Sequence, residues 1–239
     1  MMKRLRQFGI CMGMWFLFAG AAVAELPWQF EQHTRYMALG DSLAAGYGAN
    51  PATNGYAYLL YQGGAFDTVP NTLLSNVGVP GATSQQVLDY QVPLALHAFR
   101  PHVITMTFGG NDLLTILNNA DPNVVIPEFA MNLEQILVTL CSGLPGIHIY
   151  MSNLYTVTLP EVPQVDFIVS TFNTVVEQVT GGVAAGGCHV SVADVYSAFQ
   201  ERNGLLLIAR NQAGSLEVHP TNSGYRVIAK AFLKAMNAN

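Results

Sequence analysis

Short, almost wholly apolar runs alternate along the chain with longer segments of helical spacing. The short runs cover residues 36–39, 72–77, 103–108, 147–152 and 190–192. They are not apolar at every second position, as strands of a sheet wetted on one face would be. Near-continuous apolar runs suit strands covered on both faces, so the pattern predicts a parallel sheet. Helices are predicted over 56–61, 84–88, 127–140, 167–179 and 222–236. In the third of these, Phe129, Leu133, Ile136, Leu137 and Leu140 recur at helical spacing, and Tyr225, Ile228, Ala229, Phe232 and Leu233 form a stripe on the last. The Gly/Ala-rich stretch 181–187 reads as a turn or helix end feeding the last strand. Strand and helix in alternation predict a three-layer α/β/α domain around a mainly parallel five-stranded sheet.

The N-terminus departs from this pattern. Lys3, Arg4 and Arg6 precede an uncharged apolar run, 8–22, closed by Ala22-Val23-Ala24. A basic start, a short apolar middle and a small-x-small exit predict a signal peptide, residues 1–24, and hence a secreted or periplasmic protein. A membrane anchor needs about 20 apolar residues, more than this run offers, and no later stretch reads as a membrane span. Cleavage leaves one domain, 25–239, with 7 basic and 15 acidic residues and a net charge of −8. That charge makes DNA, RNA and anionic lipid headgroups poor partners and implies no obligatory membrane partner. The full chain is 51% hydrophobic and 10% charged, which excludes a disordered polymer. Cys11 leaves with the leader; Cys141 and Cys188, bound for an oxidising compartment, are expected to form one disulfide, two buried unpaired thiols being the alternative.

Several chemistries are missing. The chain has no HExxH, CxxC, phosphate-binding loop or Gly-x-Ser-x-Gly elbow. Gly46-Tyr47-Gly48 follows the first strand, but Pro51 stands where a dinucleotide fingerprint needs its third glycine, so the segment reads as a flexible turn. The six histidines share no ligand spacing, so no metal is expected, and no cofactor is implied. His33, His97, His102, His148 and His189 read as structural.

Polar residues stand instead just beyond the carboxyl ends of predicted strands, where parallel sheets build their sites. Gly40-Asp41-Ser42-Leu43 follows the first strand, the segment 76–84 containing Gly81 follows the second, and Gly109-Gly110-Asn111-Asp112 follows the third. Val218-His219-Pro220-Thr221 leads into the last helix. Singly, each has an ordinary use: Ser42 or His219 as a helix cap, Asn111 with Asp112 as a turn. Together they resemble the secreted GDSL, or SGNH, serine hydrolases, whose four markers are Ser, Gly, Asn and His, over 36 to about 229. The resemblance implies a flavodoxin-like fold and an esterase, lipase, thioesterase or deacetylase acting on a small acyl ester.

The chemistry of the residues agrees. A serine hydroxyl needs an adjacent base to become a nucleophile at neutral pH, and histidine has a suitable pKa. Ser42 and His219 fit those roles. Attack on an acyl carbonyl places negative charge on oxygen, for which the Ser42 backbone N–H, Gly81 and the Asn111 amide are candidate donors. One position departs from the family: the Asp three residues before the His is replaced by Leu216. Glu217 is the candidate orienter of His219; a backbone carbonyl near 215–217 or a distant carboxylate are the alternatives. Leu216 also motivates a second reading, a non-catalytic carbohydrate- or lipid-binding protein on a hydrolase scaffold. An acyltransferase using the same acyl-enzyme is a third. A chain so poor in charge offers ample apolar lining, so acyl esters of modest length are the expected substrates.

Overall fold

The computed structural model describes residues 33–66, 72–156, 163–202, 204, 207–210 and 216–238. Five strands, β1 (Thr34–Gly40), β2 (Thr72–Asn76), β3 (Val103–Thr107), β4 (His148–Ser152) and β5 (His189–Ala193), pair in parallel in the order β2-β1-β3-β4-β5. That is the flavodoxin-like doubly wound order, whose switch point lies between β1 and β3. All five predicted strands are present with ends moved by a residue or two. β1 reaches Thr34 and Gly40 because its ladders continue past the apolar run, to Thr72 on β2 and Thr107 on β3.

Successive side chains of a strand point to opposite faces, and both faces are covered. Met37 and Leu39 join Ile104, Met106, Ile149 and Met151 in a core with helices α6 (Pro122–Gly143) and α7 (Pro163–Ala185), which supply Phe129, Leu133 and Phe172. Tyr36 and Ala38 belong to the opposite core, with α2 (Tyr56–Gln62), α8 (Val195–Gln200) and α9 (Asn222–Met236), which supply Tyr56, Phe199, Tyr225 and Phe232. Each large apolar side chain so buried contributes about 1.5–3 kcal/mol. The double cover is the reason the strands read as unbroken apolar runs. α6 is long and apolar enough to cross a membrane, but its stripe of Phe129, Leu133, Ile136, Leu137 and Leu140 is buried in this core.

Several elements differ from the sequence reading. The helix expected at 84–88 runs on as α3 (Ser84–Gln86), a π-helical turn (Val87–Gln91), α4 (Val92–Leu94) and a second π-helical turn (Ala95–Phe99). Pro93 lacks the N–H that an α-helical bond to Asp89 requires, and the wider turns accommodate it. The stretch 181–187 is, as read, a helix end feeding β5: α7 passes through Gly181 and Gly182 to Ala185 and the turn is 186–187. α5 (Gly110–Leu117), α8 and a separate antiparallel pair, β6 (Ile208–Arg210) and β7 (Leu216–Pro220), are additional to the sequence prediction. Cys141 and Cys188 form a disulfide, Cα atoms 6.0 Å apart, that ties the end of α6 to the start of β5. The segment 1–24, read as a signal peptide, lies outside the described residues.

Candidate active site

Ser42 opens a single-turn helix, α1 (Ser42–Ala45), directly beyond the carboxyl end of β1. Gly40 lets the chain leave the strand there. Its φ is +132°, and a Cβ would overlap the Thr107 carbonyl on β3, so no side chain fits. Asp41 caps α1 by accepting the Leu43 N–H at 2.9 Å, while its own N–H donates to the Thr107 carbonyl at 2.9 Å. The buried Gln91 amide clamps Gly40, accepting from its N–H at 2.7 Å and donating to its carbonyl at 2.8 Å. Ser42 therefore leaves the sheet at a fixed place. Burial pushes the Asp41 carboxyl up to about 7, against the pull of the Leu43 N–H.

His219 lies on β7, where the chain pairs with β6 before α9 begins. Its Nε2 shares a hydrogen bond of 2.9 Å with Ser42 Oγ, across 177 positions of sequence. Three contacts hold the histidine's surroundings. The Tyr155 hydroxyl donates to the Val218 carbonyl. The Thr221 N–H donates to the Leu207 carbonyl at 2.7 Å. The Tyr47 ring rests on the imidazole, centroids 4.5 Å apart at 46°. The side chains of Leu216 and Glu217 lie outside the described residues.

Asn111 stands in the first turn of α5, beyond β3 and across the switch point from Ser42. Its Nδ2 donates to the Ala82 carbonyl at 2.9 Å, and an amide nitrogen has a second proton for a ligand. Next to it, Asp112 accepts the Ser84 hydroxyl at 2.6 Å and the Ser84 N–H at 3.0 Å, and Asn132 donates to Ser84 Oγ at 3.0 Å. Burial raises the Asp112 carboxyl, and the Ser84 hydroxyl and N–H draw it back. These bonds fasten the loop 77–83 to the start of α5. Gly81 sits on that loop, exposed, at φ +86°, a backbone conformation that side chains disfavour.

Ser42, Asn111 and His219 line one cleft of about 320 Å³. Its walls are Leu113, Leu114 and Leu117 of α5, Val165 and Val169 of α7, and Leu154, Ile208 and Val218; among the described residues none lining it is acidic, Lys or Arg. Among the described residues no cluster of three or more His, Cys, Asp or Glu could hold a metal ion. The structure thus brings Ser42 and His219 into direct contact, sets Asn111 on the same cleft and bonds the Gly81 loop to it. Sequence reasoning passed over Tyr47, Gln91, Tyr155 and the Ser84–Asp112 pair. The glycines flanking Tyr47 were a usable signal; Gln91, 51 positions from Gly40, left none.

A parallel α/β/α sheet with a serine–histidine pair and amide donors at its switch point defines a hydrolase-type site. The chain belongs to the GDSL-like lipase/acylhydrolase family, whose model matches residues 38–227, and it is a carboxylic ester hydrolase. The chain is 24% identical to the uncharacterized protein YpmR of Bacillus subtilis (strain 168), over 86% of this chain and 82% of that protein. The fold is shared with the lipase Lip_vut3 from a goat rumen metagenome, at TM-score 0.63 and 22% identity, covering 84% of this chain and 97% of that one. It is shared too with a variant of Axe2, an acetyl xylan esterase from Geobacillus stearothermophilus, at TM-score 0.64 and 17% identity, covering 85% and 94%. The hydrolase LAE5 from the metagenome of Lake Arreo aligns at TM-score 0.67 and 20% identity, covering 85% and 95%.

Proposed function

We propose that Ser42 is the nucleophile of this esterase and that His219 is its general base and acid. His219 takes the Ser42 proton as Oγ attacks the ester carbonyl, and the tetrahedral oxyanion is held by the Ser42 and Gly81 backbone N–H groups and the Asn111 amide. His219 then gives the proton to the leaving alcohol, and water, deprotonated by the same imidazole, releases the acid from the Ser42 acyl-enzyme. The observation that carries the reading is the 2.9 Å contact of Ser42 Oγ with His219 Nε2 at the wall of an apolar cleft. Glu217 is the orienter of His219. Glu217, two positions before His219, is the carboxylate nearest to it along the chain, which supports it for that task.

The same reading takes acyl esters of modest length as substrates and 25–239 as one exported domain released from a leader, 1–24. The basic, apolar and small-residue order of the leader supports export, as does the Cys141–Cys188 disulfide. Hydrolysis of p-nitrophenyl butyrate by the wild type tests the mechanism. Ser42→Ala and His219→Ala are each expected to lower kcat by about 10⁴-fold or more, and Asn111→Ala by roughly 10²- to 10³-fold. Ser42→Ala turning over at the wild-type rate refutes the mechanism. The intact mass of periplasmic protein should lack residues 1–24, and retention of Met1 refutes the leader.

A further inference from the structure

We infer that the cleft measures the acyl chain: Leu114 and Leu117 of α5, with Val165 and Val169 of α7, bind the first eight or so carbons of a medium-length acyl group. This rests on the Ser42 acyl-enzyme proposed above. Proton transfer fixes the direction of the substrate. The leaving alcohol oxygen must lie at His219 Nε2 and the carbonyl oxygen at the Asn111 and Gly81 donors, so the acyl substituent runs away from His219, along α5.

The wall in that direction has a regular build. Asn111, Leu114 and Leu117 follow one another at three-residue steps of α5, and all three line the cleft. At the rise of an α-helix, Leu117 stands about 9 Å further along than Asn111. With carbon–carbon bonds near 1.5 Å in a zigzag, that length takes about seven carbons beyond the carbonyl. Val165 and Val169, four apart on α7, share a face and line the same cleft. Leu117 is 43% exposed, so the groove opens to solvent at its far end. Carbons beyond that point gain no further burial.

The expected signature is a rise and then a plateau. Burying a methylene fully is worth about fourfold, so in a half-open groove kcat/KM should rise about two- to fourfold per carbon from p-nitrophenyl acetate to octanoate, then level between octanoate and dodecanoate below micellar concentrations. Leu114→Trp places a ring one turn from Asn111 and should lower the octanoate-to-acetate ratio of kcat/KM by tenfold or more. Leu117→Trp, a turn further on, should lower that ratio less and move the plateau back to about hexanoate. Leu117→Asp supplies a second, partly solvated substitution that should lower the ratio without a bulky ring, and melting temperatures exclude misfolding in each case. A wild-type profile flat from acetate to octanoate overturns the inference while leaving the esterase mechanism standing; so does an equal loss on both esters in all three variants. Absence of Ser42-dependent turnover on every ester overturns the mechanism and this inference with it.

Discussion

Tyr47 lays its ring against the imidazole of His219, centroids 4.5 Å apart, and is itself held by the Tyr225 hydroxyl, which donates to the Tyr47 carbonyl at 2.7 Å. The rings are tilted by 46°, and where an aromatic ring offers its face to an imidazolium the attraction is about 0.5–2 kcal/mol. That contact nominates Tyr47 as a positioning residue for the proposed base. Tyr47→Ala should lower kcat about 3- to 30-fold with a smaller change in KM, and Tyr47→Phe, which keeps the ring, should restore most of the rate. Steady-state kinetics of the two variants check this; equal losses in both reject a role for the ring.

The proposed orienter of His219, Glu217, stands beside the position that departs from the family, Leu216. Glu217→Gln removes the charge proposed to stabilise the imidazolium and should cut kcat/KM on the order of 100-fold, mostly in kcat. Adding Leu216→Asp to that variant restores the family's usual spacing and should recover part of the loss. Unchanged kcat in Glu217→Gln would falsify the assignment and leave Ser42 and His219 in theirs.

The buried Asp41 carboxyl makes stability depend on pH. Burial lifts it to about 7, above an unfolded value near 3.9. The native state holds this proton more tightly than the unfolded chain does. Below pH 4 both states are protonated and the site carries no penalty; the penalty grows as pH rises from about 4 to 7 and is complete above that. Asp41→Asn keeps an oxygen for the Leu43 N–H and abolishes the ionisation. Thermal melts at pH 5, 6.5 and 8 should show the variant gaining on the wild type as pH rises. Parallel curves reject the assignment.

The Cys141–Cys188 bond closes a separation of 47 residues. By the loop-entropy model this stabilises the fold by about 4 kcal/mol. Reduction, or Cys141→Ala with Cys188→Ala, should lower the melting temperature by about 10 °C. Alkylation of unreduced native protein should label neither thiol, and full labelling contradicts the pairing.

The parallel sheet was legible in the sequence because burial on both faces is a composition as well as a geometry: a strand covered twice has no polar side, and 103–107 shows none apart from two threonines. Ser42, Gly81, Asn111 and His219 could be nominated as candidates for a related reason, since each follows a strand end or precedes the last helix, and chain order alone nominates such positions. The helix starting at Gly110 was not, because its single turn or two carries too few apolar repeats to separate it from a turn. Nor was the β6–β7 pair, which two short segments make only by meeting each other. Tertiary structure alone decided which distant groups meet: Gln91 on Gly40, Tyr155 on Val218, and Ser42 on His219 across 177 positions. Hydrophobic periodicity records which face of an element is buried. It does not record what the face is buried against, and at this site the partner makes the chemistry.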